Sequence, residues 1–416
     1  MLFHRRLDHE YPTIVRGHDC YLVDQDGKAY FDAAGGAAVA ILGHSVRDLM
    51  QGAVDRVDWS YLHGAQFTSE DLETYGRRLV ELMPDDLTRV LLVSSGSEAV
   101  ETAIKLVYQY SSTLPGGSHD KRKVLATDPG YHGATGLALA VTGKAMHRRA
   151  FRGLLREHPF VRAPDAYRRP EGQSLDAHAE ACADELERVI LREGPESCLA
   201  FLVEPVIGSG MGVGVSPPGY LRRVREICDR YDVALIFDEV MCGFGRCGAW
   251  SAAELWDVEP DVLIQGKGLA AGLLPLSAVY ASRTIVEGIR ANSGNFMHGF
   301  TFTNHALAAS VGNLVLDQLQ QHDLLANVRR QGEYLRRRLA ELTTFSWIDD
   351  VRGLGLLNGF EMVADKAERR SFARSRHVAE RFLQRALQHG GNFYFAIGYL
   401  PSGDGDAILM MPPYNL

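Results

Sequence analysis

Residues 234–248 read ALIFDEVMCGFGRCG, an apolar run that ends in two carboxylates and then breaks into glycine. A strand with one wet face alternates apolar and polar side chains, but Ala234 to Phe237 are apolar without interruption. That is the pattern of a strand covered on both faces, as in a parallel sheet. The pattern recurs along the chain: RVLLVSS (89–95) precedes EAVETAIKLVYQY (98–110), KVLATD (123–128) precedes a helical stretch after HGAT, CLAFLVEP (198–205) precedes PPGYLRRVREICDR (217–230), and DVLIQGK (261–267) follows. Short apolar runs alternating with amphipathic stretches predict an α/β chain around a mostly parallel central sheet.

The glycines of the opening stretch, Gly243, Gly245 and Gly248, have the GxGxxG spacing of a dinucleotide site. Such a site needs a helix opening at the glycines and an acid about 20 residues on for the ribose. Lys267 stands at that distance instead, and Asp238 and Glu239 point to a different use of this strand end.

Bulk properties narrow the classes of partner. A chain of 416 residues allows two or three domains or one large α/β unit, and 46% apolar with 23% charged residues is ordinary globular composition. A formal charge of −8 argues against a nucleic-acid surface, and the arginines at 336–338 read as the solvated face of a helix. The six cysteines are scattered, without a CxxC pair or a zinc spacing, and read as reduced thiols. The N-terminal residues lack a signal-peptide pattern, and no run approaches the roughly 18 apolar residues of a membrane span. These features predict a cytoplasmic protein with a small-molecule partner, no metal and no membrane.

Four strand ends carry distinctive chemistry. The chain has only seven lysines against 37 arginines, and Lys267 alone follows a buried strand between two glycines. A desolvated amine there is a candidate Schiff-base nucleophile, although a surface-loop lysine is the plainer reading of Gly-Lys-Gly taken alone. The other six, Lys144 among them, sit on turns, polar loops or charged segments suited to solvent. In VSSGSEAVETAIKL, Ser95, Gly96 and Ser97 open a helix, which is either a phosphate nest or an ordinary capped N-terminus. Asp238 and Glu204 each end a buried strand, where ligands sit in open parallel sheets, and Tyr131 of GYHG follows a third. An amine, a carboxylate, a phosphate nest and an aromatic plate are together what pyridoxal phosphate requires.

The ordered set of motifs resembles the class III aminotransferases, the fold-type I pyridoxal-phosphate enzymes that include the ω-amino acid transaminases. It runs from YLVDQDGKAYFDAAGG (21–36) through SGSEAVETAIKL, GYHGAT, EPVIGSGMG, LIFDEVMCGFGRCG, GKGLAAGLLPLSAV and HGFTFTNHALAA to VRGLGLLNGFE and MMPPYNL, with lysine 29 residues after aspartate. The resemblance implies a large cofactor-binding domain over residues 45–305 and a smaller α+β domain from residues 1–44 and 306–416. Lys267 would take the cofactor's aldehyde and then shuttle the substrate proton, and Asp238 would pair with the ring nitrogen. Gly96 and Ser97 would bind phosphate, Tyr131 would stack on the ring beside His132 of the same motif, and Val240 would pack on the other face. Thr301 would reach the phosphate of the neighbouring subunit, which implies a homodimer with shared sites. Glu204 would lie near the ring edge and pair with a substrate-binding arginine, and Trp59, Tyr61 and residues 393–406 would select the amine. The GFGRCG segment then resembles the family's turn after the cofactor aspartate.

The implied reaction is ping-pong transfer of an amino group from an amine or ω-amino acid to a 2-oxo acid, with pyruvate as acceptor. An aminomutase or racemase of the same fold is the alternative, and an NAD-type oxidoreductase using Gly243, Gly245 and Gly248 is a remote one. The sequence departs from the family's usual pattern in Met241, where many members carry glutamine, and in Cys247, where threonine is usual. It ends at Leu416 directly after MPPYN, where members usually continue.

Overall fold

The computed structural model describes residues 2–117 and 119–416. Its centre is a seven-stranded sheet in the order Leu87–Val93, Ser277–Ser282, Val262–Gln265, Ala234–Asp238, Cys198–Val203, Lys123–Asp128, Phe160–Arg162. Only Ser277–Ser282 runs antiparallel to its neighbours, so the carboxyl ends of the other six share one edge, and Ser277 begins its strand at that same edge.

The uninterrupted apolar runs are explained by cover on both faces. Leu235, Phe237 and Leu263 pack with residues of the Leu175–Glu193 and Tyr220–Arg230 helices, whereas Ile236, Val262 and Ile264 pack with the Gly96–Thr113 and Arg283–Asn292 helices. Ile236 and Phe237 are wholly buried. Each such side chain contributes about 1.5–3 kcal/mol, which fixes the strand that ends at Asp238.

Two further sheets come from the ends of the chain. Tyr21–Asp24 and Ala29–Asp32 form a hairpin whose turn places Gly27 at φ 82°, and the Asp24 carboxylate accepts from the amides of Asp26 and Lys28. Gly391–Asn392 joins this hairpin in parallel, beside Ala29–Asp32. A second, antiparallel sheet contains Ile348–Leu354, Leu357–Asp365, Asp406–Met410 and Tyr394–Ile397.

The opening glycines do not start a helix. Residues 240–248 are turns, with Gly245 at φ 88° and Gly248 at φ 90°, and the amide of Gly243 donates to the carbonyl of Glu239. Arg246 is buried in this turn and donates to the carbonyls of Leu356 (3.0 Å) and Pro412 (2.6 Å), while its guanidinium lies over the Tyr414 ring. The turn therefore anchors the C-terminal strands instead of cradling a pyrophosphate. Among the described residues, no helix is long and apolar enough to cross a membrane.

Candidate active site

The shared strand edge opens into a pocket lined by Ser94 to Ser97, Tyr131, His132, Glu204, Ser209, Asp238, Val240, Met241, Lys267 and Ser277, among others. The residues to which the resemblance gave cofactor roles line it: Gly96, Ser97, Tyr131, His132, Glu204, Asp238, Val240 and Lys267, with Thr301 the exception.

Lys267 follows the Val262–Gln265 strand after a single glycine. A Cβ on Gly266 would come 2.7 Å from the Ser277 hydroxyl, so the backbone passes close to the antiparallel strand and turns at once. Lys267 itself adopts φ 48°, a left-handed conformation uncommon outside glycine. Burial lowers its amine from the usual lysine range, and the carboxylates of Asp238 and Glu204 oppose that shift. The amine is therefore biased toward its neutral, nucleophilic form.

Asp238 is held from both sides. One oxygen accepts from the Val240 amide at 3.1 Å, and the other lies 2.8 Å from Nδ1 of His132. His132 is in turn positioned by its own amide, which donates to the Thr142 hydroxyl, while its buried Nε2 meets no partner among the described residues. A carboxylate with two oxygens so oriented keeps lone pairs for a third donor in the pocket.

At the end of the Leu87–Val93 strand, Ser95 caps the Gly96–Thr113 helix by accepting from the Glu98 amide, and Ser97 accepts from the Ala134 amide. The amides of Gly96 and Ser97 reach no protein acceptor among the described residues. Val240 packs on the nest, since a Cβ on Gly96 would lie 3.2 Å from both of its methyls. A Cβ on Gly133 would lie 2.5 Å from the Ser97 hydroxyl, which closes the nest against the Tyr131 loop.

Glu204 is buried and accepts from the amides of Tyr131 (2.9 Å) and Gly208 (3.0 Å). Burial pushes its carboxyl above the usual range, opposed by the charge of His132 and by those two donors. Among the described residues no arginine bonds or pairs with Glu204, so the arginine partner implied by the resemblance is not formed here.

Lys144 departs from the sequence reading. Its side chain is buried, not solvated, and donates to the carbonyl of Ser209 at 3.1 Å. Burial lowers the amine to about 8, with Glu204 acting against the shift. The residues before it, LALAVTG (137–143), carry no charge, which is the one local sign of this burial. Gly143 before it cannot take a side chain, as a Cβ would fall 2.1 Å from the Thr127 carbonyl oxygen.

Thr301, Trp59 and Tyr61 lie outside this pocket and are exposed in the chain. They are near one another: the Tyr61 hydroxyl donates to the Thr301 carbonyl, and the Tyr61 and Phe302 rings meet edge to face at 6.1 Å. Met241 takes the place of the family's usual glutamine with its sulfur against the backbone of Gly208, where a Cβ would fall 1.9 Å from it.

The residues present fit pyridoxal phosphate: an amine whose proton affinity burial lowers, an oriented carboxylate for the ring nitrogen, two unspent helix amides for phosphate, and flat or branched walls at Tyr131 and Val240.

A family model described as aminotransferase class-III matches residues 3–416. The chain is 35% identical over 412 residues to an uncharacterized aminotransferase of Bacillus subtilis (strain 168), covering 99% of this chain and 92% of that protein. Among solved structures it is similar to an omega transaminase from Pseudomonas jessenii in complex with PMP, at TM-score 0.90 and 30% identity, covering 98% of this chain and 88% of that one. It is also similar to a transaminase from the marine bacterium Virgibacillus, at TM-score 0.91 and 28% identity, covering 99% and 90%.

Proposed function

Because the chain belongs to the class III aminotransferases and so is a pyridoxal-phosphate-dependent enzyme of fold type I, we propose that it moves an amino group from an amine or ω-amino acid to a 2-oxo acid, pyruvate being the expected acceptor. The observation that carries this reading is the half-buried Lys267 amine at the strand edge, opposite the oriented Asp238 and beside Glu204. Bound pyridoxal phosphate supplies an aldehyde for amines and an electron sink for the charge released at the substrate carbon.

Each residue has a task that its surroundings permit. Lys267 is the amine for the aldehyde, and its lowered proton affinity lets it take a proton from substrate carbon and return it. Asp238, locked by Val240 and His132, would hold the ring nitrogen in its protonated form through a charge-assisted hydrogen bond. Gly96 and Ser97 would hold the phosphate, with Thr301 of a second copy completing that grip in a homodimer. Tyr131 and Val240 would confine the ring and Glu204 would border it, whereas Trp59 and Tyr61, outside the pocket of their own chain, would meet the amine only at a shared edge. All six cysteines are unpaired with one another, and the expected setting is cytoplasmic.

Ping-pong kinetics provide the test. Donor alone, without any oxo acid, should give one equivalent of deaminated product per site, and pyruvate added afterwards should restore the starting absorbance. Isomerisation of a single amino compound with no acceptor would replace this reading by an aminomutase or racemase.

A further inference from the structure

The loop after Glu204 brings Ser209 into the pocket, but its outer turn is held from elsewhere. Arg352, on the Ile348–Leu354 strand of the terminal antiparallel sheet, donates from Nε to the Gly212 carbonyl at 2.9 Å and from Nη2 to the Met211 carbonyl at 2.7 Å. Its remaining nitrogen pairs with Asp350 and with Glu361, the latter wholly buried and also paired with Arg168. Inside the loop, the amides of Gly212 (2.9 Å) and Val213 (3.1 Å) donate to the Gly208 carbonyl, and the Gly208 amide donates to Glu204. Gly212 has no room to shift inward, because a Cβ there would sit 2.4 Å from that of Ala407 in the same terminal sheet.

We propose that Arg352 is a positioning residue, a planar fork that ties the terminal sheet to residues 208–213 and so fixes the Gly208 amide on Glu204 and Ser209 at the wall of the pocket. Only a guanidinium meets two adjacent carbonyls and two carboxylates at once. A lysine in its place keeps a charge for Glu361 and Asp350 but loses the fork. Motion of the terminal sheet is thereby conveyed to the carboxylate beside the reacting centre. The inference rests on the aminotransferase reading for its effect on substrate, though not for its effect on the loop.

Arg352→Lys and Arg352→Met, purified with cofactor, test it by hydrogen exchange and kinetics. In both, exchange within residues 206–213 should rise about tenfold, as expected when one or two net hydrogen bonds are lost, with residues 94–98 unchanged. The KM for donor should rise more than kcat falls, and the acid limb of kcat/KM should move to higher pH, because Glu204 has lost a donor that favours its ionised form. Unchanged exchange in that loop, or an unchanged acid limb alongside a lower melting temperature, would overturn the proposal and leave Arg352 a packing residue. If the parent protein transaminates nothing while the exchange pattern is as expected, the function reading fails and the positioning claim stands.

Discussion

Lys267 combines a left-handed backbone with a buried amine of lowered proton affinity, and neither is retained without compensation from its surroundings. Lys267→Ala should leave no cofactor fixed to protein by borohydride and lower turnover by at least about 10⁴-fold. Asp238→Asn keeps the shape but loses the charge, and kcat should fall by about 10²–10³-fold with cofactor still bound. Steady-state rates with cofactor content measured in parallel separate the two variants. Lys144 makes a different prediction, because its folded value of about 8 lies below the 10.5 of an exposed lysine. Below pH 8 the amine is charged in both states and burial penalises the fold. Between pH 8 and 10.5 the folded state sheds its proton while the unfolded chain still holds one, so stability rises with pH. Denaturation midpoints of Lys144→Met and the parent should therefore diverge in the parent's favour across that window, by on the order of 2–3 kcal/mol. A difference that is flat with pH would show that the buried amine is not the titrating group.

At the scale of the elements, legibility followed locality. The strand that ends at Asp238 was readable because cover on both faces imprints an unbroken apolar run, and the same logic placed Glu204 and Lys267 at one edge. The hairpin at Asp26 and Gly27 was readable because turn chemistry is written within four residues. Lys144 was misread because its neighbours in sequence are partly charged, while its burial depends on the Ser209 loop some 65 positions away. Arg352 carried no local sign, since what it binds lies about 140 positions earlier. The GxGxxG spacing was ambiguous for a related reason: glycine is required where backbone crowds backbone, whatever the ligand. Helix Leu324–Ala340 shows the same demand, for a Cβ on Gly332 would lie 2.0 Å from the Gly355 carbonyl oxygen. Gly332→Ala should push the helix off that turn and cost about 1–3 kcal/mol in urea unfolding, whereas Gly153→Ala, with open space around it, serves as the unaffected control.

For the whole molecule, the question is whether one chain suffices. The described chain exposes Trp59, Tyr61, Phe67, Met297 and Phe302, and Phe67 is 63% and Met297 77% exposed. Tyr61 and Phe302 touch, and the Tyr61 hydroxyl donates to the carbonyl of Thr301, the residue before Phe302. Contiguous exposed aromatic and apolar groups are costly in water and commonly mark an interface. The Gly96 and Ser97 amides, at the pocket wall, would supply two phosphate donors, and a hydroxyl from a second copy's Thr301 would supply a third. If sites are shared in this way, each needs Lys267 from one chain and Thr301 from the other. Thr301→Ala alone should weaken cofactor binding about tenfold, the cost of one charge-assisted hydrogen bond. Lys267→Ala alone should be inactive. Coexpressed, the two variants form mixed dimers in which one site has Thr301→Ala and Lys267→Ala together, and the other has both native residues. Purified mixed dimers should therefore recover parental cofactor affinity and kcat/KM in half of their sites, although neither parent variant has both. Mixtures that show only the sum of the two variants' activities, or a fully active monomer in sedimentation, would confine the site to a single chain.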